Sequence, residues 1–115
     1  MIMTKNEMLD SIFENLKEEI LADEAQADLF SENLLRKKVE SAYREVQRAR
    51  RYPKFYSEAQ IEEDMTDYFS SVEDIARFDY NSVGSEGLSS YSADGTSIKY
   101  NDRDKLFYGV LPIAR

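Results

Sequence analysis

The sequence predicts a mainly α protein: a small three-helix bundle, then a short β-hairpin or loop, then an extended apolar C-terminal tail. Three observations carry this. Apolar residues recur at helical spacing in three stretches, and neither Gly nor Pro occurs before Pro53. The glycines preceding Gly109 all fall within residues 84–100, at Gly84, Gly87 and Gly95. There Asp94-Gly95 sits among serines, a hairpin signal because a tight turn needs residues that accept positive φ. Finally, residues 106–113 form an apolar string behind the charged run Asn101, Asp102, Arg103, Asp104 and Lys105.

The first helix is expected over about residues 4–22. Thr4 and Glu7 have the spacing of a capping box. Met8, Leu9, Ile12, Phe13, Leu16 and Ile20 follow as one apolar face, with acids on the other. No Gly or Pro marks its end. Ala22-Asp23 is the expected break, because Asp23 with Gln26 offers a second cap, and an unbroken longer helix is the alternative.

The second helix is expected over about 24–51. Leu35, Val39, Ala42, Val46 and Ala49 step by four and three into one narrow seam, widened by Leu34 and Tyr43. Arg36, Lys37, Arg44, Arg48 and Arg51 lie largely off that seam. Tyr52-Pro53 ends the helix, since proline disfavours helical geometry in the residue before it. An aromatic connection through Phe55 and Tyr56 follows.

Ser57 and Gln60 cap a third helix expected over about 57–81. Ile61, Met65, Tyr68, Phe69, Val72, Ile75 and Ala76 form its stripe, while Glu62, Glu63, Asp67, Glu73 and Asp74 face outward. That stripe is the broadest of the three, which makes this helix the expected centre of the core. The short connection predicts an antiparallel pair of second and third helices. Residues 1–100 then form the helical domain with a Gly/Ser hairpin at 84–100, and residues 101–115 form a tail.

Composition narrows the chemistry. With 115 residues the chain has the length of one domain, and a chain of this size buries somewhat over ~60% of its unfolded surface. A 42% hydrophobic share beside 33% charged residues fits a folded soluble domain rather than a disordered one. The sequence has no Cys and no His. That removes disulfides, the usual zinc ligands, the Glu-x-x-His motif of di-iron bundles and the commonest general base. Adjacent acids such as Glu18-Glu19 and Glu62-Glu63 read as solvated faces, because acid–base catalysis needs carboxyls in contrasting environments. Gly84-Ser-Glu-Gly87 lacks the Gly-Lys-Ser/Thr ending of a phosphate loop. The expectation is no enzyme, no metal and no cofactor. No apolar run reaches the length of a membrane span and the first residues do not resemble a signal peptide, so a cytoplasmic or particle-borne protein without membrane contact is expected.

The net charge of −8 is unevenly distributed: −7 over residues 1–35, +6 over 36–54 and −7 over 55–115. Acidic ends around a basic middle can be complementary within a subunit, where Arg36 through Arg51 lie near the acids of the third helix, or between neighbouring subunits, with Arg44, Arg48 and Arg51 as interface candidates. The same basic run with Tyr43, Tyr52 and Tyr56 suggests the alternative of a small helical DNA-binding regulator using residues 36–54.

The string that ends the helical half is more specific. A helix closing on Asp79, Tyr80 and Asn81 is followed by Gly84, Glu86, Gly87, Ser90, Ser92, Gly95, Ser97 and Tyr100. This pattern, within roughly residues 28–113, resembles the head-tail connector (adaptor, or head completion) proteins of tailed bacteriophages. The resemblance implies a structural virion protein, assembled in the host cytoplasm, that forms a homo-oligomeric ring under the portal protein, twelvefold in the virion. It implies extension of the DNA channel, transient non-specific passage of DNA, and a surface for a neck stopper or tail-completion protein. It further implies a C-terminal tail that grips the portal, with Leu106, Phe107, Tyr108, Val110, Leu111 and Ile113 as docking candidates. Residues 1–22 have no counterpart in that pattern.

Overall fold

The computed structural model describes residues 2–83 and 103–113. Among residues 2–83 it holds five helices: α1 (Lys5–Leu21), α2 (Glu24–Ala27), α3 (Glu32–Arg50), α4 (Glu58–Thr66) and α5 (Phe69–Val83). Among the described residues there is no strand. The expected hairpin, with every glycine and serine of the 84–100 motif, lies outside the described residues.

The first helix begins where the capping box places it. The Thr4 hydroxyl accepts from the Glu7 N–H at 3.2 Å, and the Glu7 carboxylate accepts from the Thr4 N–H at 2.9 Å. The break after Leu21 also falls as expected, with the Asp23 carboxylate accepting from the Ala25 N–H at 2.9 Å.

The second helix does not run on from Glu24. A single turn, α2, stops at Ala27, and α3 starts afresh at Glu32. Ser31 is the cause. Its hydroxyl accepts from the Leu34 N–H at 3.3 Å, while its own N–H donates to the Tyr80 hydroxyl at 3.2 Å. A serine that satisfies helix-end donors from an extended backbone stabilises a start rather than a continuation.

The third helix is likewise two. The Asp67 and Tyr68 N–H groups donate three residues back, to Asp64 and Met65, instead of four. Just before them, the Thr66 hydroxyl bonds the Glu62 carbonyl at 2.8 Å and accepts from the Met3 N–H at 3.0 Å. Back-bonding of this kind bends or interrupts a helix. Here it separates α4 from α5 and ties the start of the chain to the junction.

α3 and α5 pack most extensively, and α1 lies against both. Tyr80 meets Ser31 at one end while Arg50 lies over Tyr68 at the other, so α3 and α5 are antiparallel. Arg77 of α5 reaches Glu19 of α1 at 2.8 Å and Asn15 reaches Glu73 at 3.0 Å, so those two helices run in the same direction. The core is Met8, Ile12, Phe13, Leu16 and Ile20 of α1, Leu35, Val39, Ala42, Tyr43 and Val46 of α3, Met65 of α4, and Val72, Ile75 and Ala76 of α5. The centre is therefore α3 rather than the helix after it, whose aromatic residues Tyr68 and Phe69 are only half-buried.

Leu35 is fully enclosed between these helices. Leu35→Ala is expected to lower unfolding free energy by about 2–5 kcal/mol through lost transfer energy and a residual cavity. The urea midpoint should fall with an unchanged slope; a midpoint near that of the parent would show that the α1–α3–α5 seam is not the core.

Candidate interaction surface

Arg50 stands four residues after Val46 and seven after Tyr43, on the edge of the buried seam of α3. Its guanidinium turns toward α4 and grips Asp64 with two parallel bonds, Nε to Oδ2 at 2.8 Å and Nη2 to Oδ1 at 2.9 Å. The Tyr52 hydroxyl donates to the same carboxylate at 2.6 Å, and the Tyr68 ring lies 4.8 Å from the guanidinium carbon. The third arm, Nη1, donates to the Leu111 carbonyl at 2.6 Å. Only 13% of the Arg50 side chain is exposed.

Electrostatics follow from this geometry. Burial alone would raise the Asp64 carboxyl, but the bonds from Arg50 and Tyr52 and the guanidinium charge outweigh it and hold the group below its ordinary value. The bond to Asp64 keeps Arg50 protonated beyond its ordinary range. Burial, then the bond to Asp64, pushes the Tyr52 phenol up. Asp64 is thus held ionised, Arg50 charged and Tyr52 as the neutral phenol, so the cluster clamps three segments and does not exchange protons near pH 7.

A second arginine does similar work where the chain resumes. Arg103 grips Asp79 of α5 with Nε at 2.7 Å and Nη2 at 2.9 Å, and also meets Glu45 of α3. From there residues 103–105 are helical and 106–109 continue as turns, with the Leu106, Phe107 and Tyr108 N–H groups each donating three residues back. The Ile113 N–H then donates to the Arg50 carbonyl at 2.8 Å.

From sequence the tail is either an extended segment that docks onto a partner or a strand folded back beside Ile98–Tyr100; in the structure its residues 103–113 fold back, without a strand, along α3. Val110 is 5% exposed and belongs to the core, while Leu106 and Phe107 pack against it. Ile113 is half-buried. Tyr108 and Leu111 point the other way, 72% and 62% exposed. The physical reason is the three-residue spacing of Phe107, Val110 and Ile113, which presents one face inward, with an arginine anchor at each end. The docking candidates therefore divide into an inner set held by the protein's own helices and an outer pair open to a partner.

The three arginines proposed from sequence fall on one surface at the far end of α3. Arg44, Arg48 and Arg51 are exposed, and Arg44 faces Glu40 at 3.6 Å. Among the described residues, Arg48, Arg51 and Lys54 face no carboxylate. With Gln47, Tyr52, Pro53, Tyr56 and Ile61 these cations line an open depression of about 470 Å³. The Tyr52 and Tyr56 rings stack at 5.8 Å, Phe55 leans on Tyr56 at 5.4 Å, and Phe55 itself is 81% exposed. Arg48 and Arg51 also border a second shallow depression floored by Ala49 and Phe107, so they form the ridge between the two.

Tyr43, offered by the sequence as a stacking residue, is not on this surface. It is buried in the core, and burial followed by Glu62 and Glu58 pushes its phenol up to about 12. Arg51 adds a constraint of its own: it closes α3 at φ 51°, ψ 58°. That left-handed geometry normally falls to Gly or Asn and costs an L-residue roughly 1–2 kcal/mol.

From sequence, Arg50 and Asp64 have no site role, Arg103 belongs to a charged spacer, Tyr52 reads as a stacking residue and Asp79 as part of the helix-ending pattern; their pairing is not foreseen there. The available signal was Arg50 occupying a seam-edge position where an apolar residue is the norm. Among the described residues no three acidic side chains converge where a cation would sit. Comparison with protein-family models, with curated proteins and with solved structures finds no match for this chain.

Arg50→Ala leaves Asp64 partly buried without its cation and is expected to cost about 3 kcal/mol, against well under 1 kcal/mol for the exposed Arg44→Ala. Because the folded Asp64 carboxyl lies below its unfolded value, its contribution is present above about pH 4 and is lost as pH falls through the folded value. Asp64→Asn should therefore flatten the acid limb of stability, read as urea midpoints at stepped pH. An unchanged acid limb would place the pH sensitivity elsewhere.

Proposed function

We propose that this chain is a structural component of a tailed-phage neck, a head-tail adaptor that forms a ring beneath the portal protein and extends the DNA channel toward the next neck or tail component. The observation that carries the reading is the string from Gly84 to Tyr100, placed after a helix that carries Asp79, Tyr80 and Asn81 near its end at Val83. Two features support it. The C-terminal segment carries an outward apolar pair, Tyr108 and Leu111, on a backbone fastened at both ends. Among the described residues the bundle also carries three neighbouring cations that face no carboxylate, Arg48, Arg51 and Lys54, on a protein whose net charge is −8, an imbalance suited to contacts between unlike faces of identical subunits. An acidic remainder suits a channel wall, because it repels phosphates and does not hold passing DNA.

In this reading Tyr108 and Leu111 touch the portal, and Leu106, Phe107, Val110 and Ile113 set the backbone that presents them. The basic end of α3 supports a second reading, a DNA-binding regulator. That reading requires duplex affinity falling steeply with salt, whereas the adaptor requires attachment to a protein ring.

Imaging of portal-bearing heads with and without the purified protein tests the proposal directly. The parent chain should add a ring of density below the portal. Tyr108→Ala with Leu111→Ala should abolish that density while shifting stability by less than about 1 kcal/mol, since both side chains are exposed. Deletion of residues 106–115 should remove the density and also lower the melting temperature, because Val110 is part of the core. Heads that stay bare with the parent chain, joined to tight duplex binding at physiological salt, would overturn the adaptor in favour of the regulator.

A further inference from the structure

Most acids along the helices are already partnered. Asp10 faces Arg36, Glu19 and Glu73 meet Arg77, and Asp64 holds Arg50. Among the described residues Glu14, Glu18, Glu58 and Glu63 face no cation, and at the corner between α1 and α3 two more such acids stand beside an exposed apolar side chain. Glu24 and Asp28 are exposed there and, among the described residues, face no cation, while Leu29 beside them is 82% exposed. The opposite situation holds at the other end of α3, where the depression is lined by four cations and no carboxylate. It too has a large apolar neighbour in the open, Phe55.

These two surfaces cannot meet within one molecule. They flank opposite ends of α3, whose 19 residues span roughly 28 Å at the rise of an α-helix. We infer that the acidic corner of one copy, residues 23–29, docks into the basic depression of a second copy. Glu24 and Asp28 meet Arg48 and Lys54, and Leu29 covers the exposed ring of Phe55. The contact is head to tail, so each copy keeps one unused end and the same contact repeats until a ring closes. The inference specifies the subunit contact of the adaptor ring and rests on that reading.

Several observations favour a second copy over other occupants. The charges are opposite at the two ends, each end offers one large exposed apolar side chain, and residues 23–26, 28 and 29 of the acidic corner are all exposed. A nucleic acid would gain the same cations but would approach a molecule of net charge −8. Exposed pairs contribute weakly, so a single contact between free copies should have a Kd of order 0.1–1 mM and should weaken with salt.

The test is sedimentation velocity of the full chain across concentration at low and physiological salt, with charge-swap variants. Arg48→Glu with Lys54→Glu should weaken self-association at least tenfold, and so should Glu24→Lys with Asp28→Lys. Neither variant touches the cap at Asp23 or the left-handed Arg51, and circular dichroism checks that each remains helical. Mixing the two variants restores opposite charge at every contact and should recover association. A parent chain that stays monomeric at low salt up to about 1 mM would overturn the inference, as would variants that associate like the parent, or a mixture that fails to recover. Binding of a single-stranded or duplex oligonucleotide by a chain that remains monomeric would overturn it in favour of a polyanion site. The two readings fail separately: self-association without attachment to portal-bearing heads sinks the neck reading, and ring attachment untouched by the charge swaps sinks this contact alone.

Discussion

The grip of Arg50 on Asp64 is the interaction on which the rest of the architecture depends. One guanidinium ties the last turn of α3 to α4 through a carboxylate, to α5 through the Tyr68 ring beside it, and to the C-terminal segment through the Leu111 carbonyl. A planar, five-donor head group suits this junction because it meets partners in three directions without changing rotamer. A lysine there could offer charge but not the two parallel bonds to Asp64. Partial burial raises the stakes, since every group in the cluster is costly to leave alone once its neighbours are ordered.

Where helices begin and end was legible from sequence when both partners of a cap are local. Thr4 with Glu7, and Ser57 with Gln60, are such pairs, and α1 and α4 start accordingly. Ser31 has Leu34 at the third helical position, so no reciprocal box advertises the start of α3. Its N–H is satisfied instead by Tyr80, 49 residues away. The division of α4 from α5 is similarly hidden, because Asp67 and Tyr68 are compatible with a continuous helix and Thr66 finds its external partner in Met3. Apolar periodicity located the core faces well and overrated the aromatic stripe, whose rings are only half-covered.

The surface was legible in composition but not in arrangement. A block of net charge +6 over residues 36–54 marks a basic helix, yet its members have different fates. Arg36 lies 4.0 Å from the Phe13 ring and near Asp10, Arg50 is enclosed, and only the outer members remain available. Pairs such as Arg103 with Glu45 follow no repeat and join elements that only tertiary packing brings together. The apolar tail was visible as a string, and its inward and outward faces emerge only once α3 and α5 supply a groove.

The bond from the Ile113 N–H to the Arg50 carbonyl has a mechanical meaning. The final carbonyls of a helix lack partners within it, and here a distant piece of the chain supplies one. The C-terminal segment thus acts as the end cap of α3, and the same turn that it caps carries Arg48 and leads into Arg51. Pulling the segment away strips a hydrogen bond from the helix end and a carbonyl from Arg50 at once, loosening the backbone that aims the basic ridge. Linkage would make the effect mutual for any ligand of the ridge that binds more tightly when this helix end is ordered. The C-terminal segment and the basic ridge are in this way joined by one turn of backbone.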